Sequence, residues 1–178
     1  MPGNFKRSGF SLLEIVVAIA LMVLVATLVV PLFTRKKKVV EGFTLQLNGV
    51  LARVYTNALI TGQVHKITWD FERDQIIAEK GTGEKSASGE DIFVPLSESY
   101  TKSSIKIPEI LEIKNFFVQG KDELAGAVTK KAWFFIMPQG LAQSVIINIV
   151  DTDSDHLYGL VLNPFTVQVK LYDEFKKP

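Results

Sequence analysis

The chain has 178 residues, and its 20 lysines and arginines nearly cancel its 19 aspartates and glutamates. That balance lacks the basic excess of a dedicated nucleic-acid binder, and the length leaves room for one domain beyond an apolar segment rather than two. Cysteine is absent, which excludes a disulfide framework, a thiol nucleophile and a cysteine-ligated metal.

A short basic leader, Lys6-Arg7-Ser8-Gly9, is followed by Phe10-Ser11-Leu12-Leu13-Glu14-Ile15. Residues 15–33 carry no charged side chain. With residues 10–13 in front, the run is long enough to cross a hydrocarbon layer of about 30 Å as a helix. Glu14 is the one charge within it, and an unpaired carboxylate at the lipid edge costs on the order of a few kcal/mol. It therefore needs a partner. If the chain is cut after Gly9, Lys6 and Arg7 are lost and a free amine appears on Phe10, which is the candidate counter-ion. An ordinary secretory signal fits poorly, because Pro31-Leu32-Phe33-Thr34-Arg35 offers no small-residue cleavage site.

This order of leader, Gly9, aromatic Phe10, single acid Glu14 and uninterrupted apolar helix resembles the N terminus of type IV pilins and type II secretion pseudopilins. The resemblance implies that a prepilin peptidase cuts after Gly9 and methylates the amine of Phe10. It also implies that Glu14 meets the amine of a neighbouring subunit as a filament assembles, so that correct register relieves two charges that are costly in lipid. The implied location is the inner membrane, single-pass, with the C-terminal domain in the periplasm. Charge asymmetry alone points the other way. Arg35, Lys36, Lys37 and Lys38 follow the span whereas Lys6 and Arg7 precede it, and the positive-inside rule would keep the C-terminal part in the cytosol. The leader outweighs this, because its cleavage requires a peptidase on the cytoplasmic side.

Pro31 removes one helical hydrogen bond; within a membrane helix such a residue gives a kink more often than a stop, and pilin-like proteins frequently carry a proline there. Arg35 to Lys38 suit a headgroup zone. Val40, Phe43, Leu47, Leu51, Val54 and Ala58 then recur at helical spacing, with Val39, Val50, Tyr55 and Leu59 widening the stripe. The helix is expected to run to about Thr61 and to stop at Gly62.

From Val64 the period becomes two: Ile67, Trp69 and Phe71 face one way, and Lys66, Thr68 and Asp70 the other. A turn at Arg73-Asp74 returns the chain as a second strand over residues 75–80, and residues 81–91 read as an exposed loop. Residues 92–128 are broken by Pro95 and Pro108, with strands expected near Ile105 and over 113–118. Residues 132–137, 144–150, 157–162 and 166–172 follow as four strands separated by turn signals, which argues an antiparallel sheet. Trp69, Trp133 and the pair Phe134-Phe135 are assigned to the core.

The tail refines the resemblance. Phe135-Ile136-Met137-Pro138-Gln139-Gly140, then Ile146-Ile147-Asn148-Ile149, then Leu160-Val161-Leu162-Asn163-Pro164 and a final strand look like the C-terminal half of the H-type minor pseudopilins. Pro164-Phe165-Thr166-Val167 departs from that family in lacking a Thr-Gly after the proline. The expected class is α+β: a long N-terminal helix, membrane-spanning in its first half and amphipathic in its second, packed on an antiparallel sheet as in pilins. The expected organisation is a leader over 1–9, a membrane and filament-core segment over 10–34, an amphipathic continuation over 35–62 and a β-rich periplasmic domain over 63–178.

Asp151, Asp153 and Asp155 alternate as hard-cation ligands can. The calcium-loop pattern is otherwise missing, with His156 where a glycine would bend the loop and Leu162 where a glutamate would close it, so a solvated turn is the favoured reading. His65 and His156, the only histidines, stand in no metal-ligand spacing, and no catalytic constellation or cofactor motif is present. The function implied by the resemblance is that of a non-enzymatic minor pseudopilin of a type II secretion system, a filament subunit that helps export folded proteins. Its partners would be other pseudopilins, the inner-membrane assembly platform and the prepilin peptidase, and nucleic acid would not be among them. The alternative is a minor pilin of a type IV pilus or DNA-uptake apparatus, which would need a basic strip. Lys170, Lys176 and Lys177 hint at one, diluted by Asp173 and Glu174.

Overall fold

A computed structural model describes residues 12–96, 104–125 and 130–178, without the side chains of residues 28–38. Two compact units divide the chain, Met1–Lys38 and Val39–Pro178. A single helix, α1, covers Leu12–Thr61, so helical structure is not ended by Pro31.

Within the second unit the helix contributes Val40, Phe43, Leu47, Val50, Leu51, Val54 and Ala58 to the core. This is the stripe set by the apolar spacing; of the residues expected to widen it, Val39 and Leu59 are exposed. Gly62 terminates α1 in a left-handed conformation, φ +64°, with its N–H donating to the Ala58 carbonyl at 3.0 Å. A glycine adopts that conformation without steric cost.

Among the described residues ten strands follow: β1 His65–Asp70, β2 Gln75–Lys85, β3 Asp91–Pro95, β4 Ser104–Lys106, β5 Leu111–Val118, β6 Lys121–Asp122, β7 Lys131–Ile136, β8 Val145–Asp151, β9 His156–Asn163 and β10 Gln168–Tyr172. The α+β class expected from the sequence holds, and every strand pairing is antiparallel. The strands divide into two sheets. The first runs β3-β2-β1-β7, with β4 also on β2, and the second runs β10-β9-β8-β5-β6. The four C-terminal strands are therefore not one meander: β7 pairs with β1, far back in the chain, while β8, β9 and β10 form successive hairpins. The change of sheet falls at Pro138-Gln139-Gly140. There Gly140 has φ +78° and lies so close to the helix that a Cβ would meet the Tyr55 ring at 2.9 Å.

Two other expectations are corrected. Residues 81–85 extend β2 rather than opening a loop, and only residues 86–90 form the turn before β3. This stretch is polar and glycine-bearing because it projects as an exposed hairpin, where Lys85 pairs with Asp91 at 2.8 Å and no apolar alternation is needed. Trp133 and Phe135 are not core residues: they share the outward side of β7 with Lys131, whereas Ala132, Phe134 and Ile136 point inward. Residues 97–103 and 126–129 lie outside the described residues.

The core sits where helix and both sheets meet. Trp69 on β1 stands edge-on to Phe43 of the helix at 6.1 Å and to Phe116 of β5 at 5.5 Å, and Phe71 reaches Phe116 at 6.3 Å. Two asparagines fix what this apolar contact leaves free to slide. Asn48 on α1 donates from Nδ2 to the Val169 carbonyl at 2.9 Å and accepts the Val169 N–H at 2.7 Å, so a side-chain amide continues the open edge of β10. On β8, Asn148 grips the C-terminal tail in the same way through the carbonyl and N–H of Lys176, at 3.0 and 2.9 Å. The tail crosses β9 at Gly159, where a Cβ would strike the Glu174 carbonyl at 2.6 Å.

Turns are closed by short side-chain caps. Asp70 accepts the N–H groups of Glu72 and Arg73, both at 3.2 Å, and pairs with Lys131 at 3.1 Å. Burial, the largest influence on Asp70, favours its protonated form, but Lys131 and the two amides together outweigh it and hold the carboxyl below its ordinary value.

Replacing Asn48 by alanine leaves the Val169 N–H and carbonyl without partners at the sheet edge. The expected loss is about 1–3 kcal/mol of unfolding free energy in urea. Asn48→Asp should lose more, because it sets a carboxylate against the Val169 carbonyl; equal stability of both variants to the parent would refute the clip.

Candidate functional site: the apolar N-terminal half of the helix

The described side chains of the first unit run from Leu12 to Thr27, and every one is exposed. The large apolar ones include Leu12 at 83 %, Met22 at 73 % and Val17 at 49 %. An apolar residue at nearly every position gives this part of the helix no polar face. Thr27, whose hydroxyl would break the pattern, donates to the Leu24 carbonyl at 2.7 Å and so satisfies its hydrogen within the helix. Glu14 occupies the first turn of α1 and is exposed; a carboxylate there is favoured by the amide dipoles of the helix N-terminus. Lys6, Arg7, Gly9 and Phe10 lie outside the described residues, as do the side chains of Pro31 and of Arg35 to Lys38. Among the described residues no helix is long and apolar enough to cross a membrane.

The other residues singled out from the sequence are distributed over the second unit and do not converge. Asp151 is buried, and its Oδ1 accepts the Asp153 N–H at 2.9 Å while its Oδ2 accepts the Ser154 hydroxyl at 2.7 Å. Its carboxylate thus caps the β8–β9 turn, in which Asp155 takes φ +52°. Among the described residues no group of three or more histidine, aspartate or glutamate side chains could hold a metal ion.

His156 lies against Tyr158, with ring centres 4.6 Å apart. His65 is fully buried at the start of β1, with Nδ1 3.0 Å from the Gln63 carbonyl and Nε2 2.9 Å from Oδ1 of Asn57 on the helix. Both oxygens only accept, so the neutral ring, which carries one N–H, donates to one of the two. Burial, chiefly, and the charge of Lys80 lower its pKa from the ordinary 6.5, while the Gln63 carbonyl acts in the opposite sense.

Of the lysines near the C terminus, Lys170 and Lys176 both lie over the Tyr172 ring, at 5.1 and 4.3 Å, and Lys176 is also paired with Glu174. Lys66, Lys85, Lys106, Lys114, Lys121, Lys130 and Lys131 each sit beside a carboxylate.

Sequence reasoning missed the asparagine clips, which no local pattern announces. It also missed the exposure of Trp133, which its own strand parity with Lys131 could have revealed.

Residues 4–30 match the prokaryotic N-terminal methylation motif. No protein of curated function matches the chain at the sequence level. The fold is similar to that of the minor pseudopilin EpsH from the type II secretion system of Vibrio cholerae, with a TM-score of 0.52 and 12 % identity over 75 % of this chain and 95 % of that one. A second structure of EpsH gives a TM-score of 0.48 at 12 % identity over 72 % and 94 %. The chain thus combines a prokaryotic N-terminal methylation motif with an α+β domain.

Because the native His65 binds its proton less tightly than the unfolded chain does, its contribution to stability is complete above about pH 6.5 and is lost as the pH falls from there toward the lowered native value. Urea midpoints measured between about pH 7.5 and 5 should fall for the parent and stay flatter for His65→Gln; parallel profiles would remove His65 as the cause.

Proposed function

We propose that the chain is a minor pseudopilin, a structural subunit of the periplasmic pseudopilus of a type II secretion system, supporting export of folded proteins across the outer membrane. The observation that carries this reading is the succession, in one chain, of a methylation motif over residues 4–30 and a domain with the fold of a minor pseudopilin. The role is assembly rather than turnover. Its partners are other pseudopilins, the assembly platform of the inner membrane and the prepilin peptidase.

On this reading residues 1–9 are a leader removed after Gly9, and the new amine on Phe10 is methylated. Residues 10–34 anchor the subunit in the inner membrane before assembly and line the filament core afterwards. Residues 35–62 continue the helix into a periplasmic domain. What supports the two environments is the apolar surface of Leu12–Thr27, which has no polar side to turn toward water. Glu14 supplies the intersubunit charge. A carboxylate and an amine are each disfavoured in hydrocarbon, and bringing them together across two subunits makes the paired register the low-energy one.

Mass spectrometry of the protein isolated from membranes should show a chain beginning at Phe10 with one methyl group on its amine. A chain that retains residues 1–9 would overturn the reading. Glu14→Leu should still be cleaved and carry a folded domain, but be depleted from filaments recovered by shearing; incorporation at the parental level would remove Glu14 from the mechanism.

A further inference from the structure

Strand β7 is the outer strand of the first sheet, and its free side is only half covered. Near its C-terminal end the chain folds back on it. Met137 N–H donates to the Leu141 carbonyl at 2.7 Å and Gln143 N–H to the Phe135 carbonyl at 3.1 Å, around an antiparallel bridge between Ile136 and Ala142. The next bond of that ladder is made by a side chain: the Phe135 N–H donates at 2.9 Å to Oε1 of Gln143, where a paired strand would present a main-chain carbonyl. Past Gln143 the chain leaves this edge, and the Ser144 carbonyl accepts the Gln119 N–H at 2.9 Å.

In an antiparallel ladder the N–H and C=O of one residue leave on the same side, and the side alternates along the strand. Those of Trp133 and Lys131 therefore leave on the same side as those of Phe135. Among the described residues no strand pairs with them there. The edge opens instead on a groove of about 420 Å³ whose far wall includes Gln119, Lys121 and Glu123. The Trp133 side chain is 50 % exposed beside it, and Phe135 stands next in line with its ring 5.8 Å from that of Phe93.

Charge and hydrogen bonding select the occupant. Lys131 is held by Asp70 and Lys121 by Glu123, both at 3.1 Å, so the groove has no unmatched cation to attract a polyanion. It offers a row of main-chain donors and acceptors flanked by aromatic surface, which suits a neutral backbone. We propose that the outer edge of β7 is a docking site for an extended peptide segment of another protein, which adds to the first sheet as a strand beside Lys131 and Trp133. Main-chain bonds supply the attachment. Same-face side chains of the added strand recur about every 7 Å and lie along Trp133 and Phe135. The inference goes beyond the functional reading and does not depend on it.

The test uses the full chain in detergent micelles with a capped hexapeptide of alternating valine and threonine, and the same peptide N-methylated at every amide. Hydrogen exchange at the Lys131 and Trp133 amides reports occupancy. The free-amide peptide should slow exchange at both, and the methylated peptide, which offers no N–H from either edge, should bind at least about tenfold more weakly. Trp133→Pro, which removes one outward N–H from an edge position where proline is tolerated, should lose the binding while keeping the parental unfolding midpoint. Three results would overturn the proposal: no protection at millimolar peptide, equal binding of the free-amide and methylated peptides, or protection without peptide that rises with protein concentration, which would make a second copy the occupant. If Trp133→Pro fails to fold, the comparison of the two peptides decides alone.

Discussion

The second unit depends on one buried seam, the stripe of α1 from Val40 to Ala58 lying against both sheets, with Trp69 at the joint. A helix in water gains little from its own hydrogen bonds, and most of its stability comes from packing one face. Here each fully buried side chain of the stripe contributes about 1.5–3 kcal/mol, against about 0.5–1.5 kcal/mol for a hydrogen bond. Burial therefore holds the layers together, and the polar contacts decide their register. The indole is the only described side chain in edge contact with both helix and second sheet, through Phe43 and Phe116. Its Nε1 is buried without a hydrogen-bond acceptor, a cost of about 1–3 kcal/mol that its packing against helix and second sheet outweighs.

Apolar contact alone would let the helix slide along the sheets, since valine and leucine surfaces discriminate weakly between neighbouring positions. Asn48 removes that freedom by matching one donor and one acceptor to Val169, and Asn148 on β8 fixes the C-terminal tail in the same way through Lys176. The same economy recurs at the turns. Asp70, Asp122, Asp151 and Asn163 each accept main-chain N–H groups close by in sequence. The alternating acids at 151–155 thereby find a structural use at their first member, whose two oxygens are both engaged in the cap.

Legibility followed the physics of each segment. The helical stripe and the Gly62 stop were readable because burial on one face of a helix imposes a period, and strands β1, β8, β9 and β10 because runs rich in apolar and β-branched residues stand between turn signals. The division into two sheets was not, because β7 and β8 carry the same alternation whichever partner they take; the partner is set by a corner at Gly140 whose closeness to Tyr55 is a tertiary fact. Thr68 and Asp70 were read as outward-facing and are nonetheless buried, at 6 % and 1 % exposure. A central strand has its outer face covered by longer neighbours, here Glu79 and Lys131. At the N-terminal segment, composition gave an expectation of a helix without a polar face, and the described side chains from Leu12 to Thr27 are all exposed. Gly9 and Phe10, named from a resemblance, lie outside the described residues.

That environment can be bounded by magnitude. Every large apolar side chain described from Leu12 to Val25 is exposed by about half or more, and full burial of each is worth about 1.5–3 kcal/mol relative to full exposure. Even at half that gain per residue, covering the stretch is worth on the order of 10 kcal/mol. Carrying Glu14 out of water costs a few kcal/mol by comparison. Burial of the helix therefore outweighs retention of the acid in solvent, and whatever covers the stretch takes the carboxylate with it. A single flat neighbour cannot cover a helix that is apolar on all sides; lipid can, and so can a bundle of like helices. The two differ in what they offer Glu14. Lipid offers only the headgroup edge, whereas a bundle can place a cation at a fixed height beside it. The residual cost of the acid thus differs between the two coverings, and it is lower in a bundle only where a positive charge stands at the matching height.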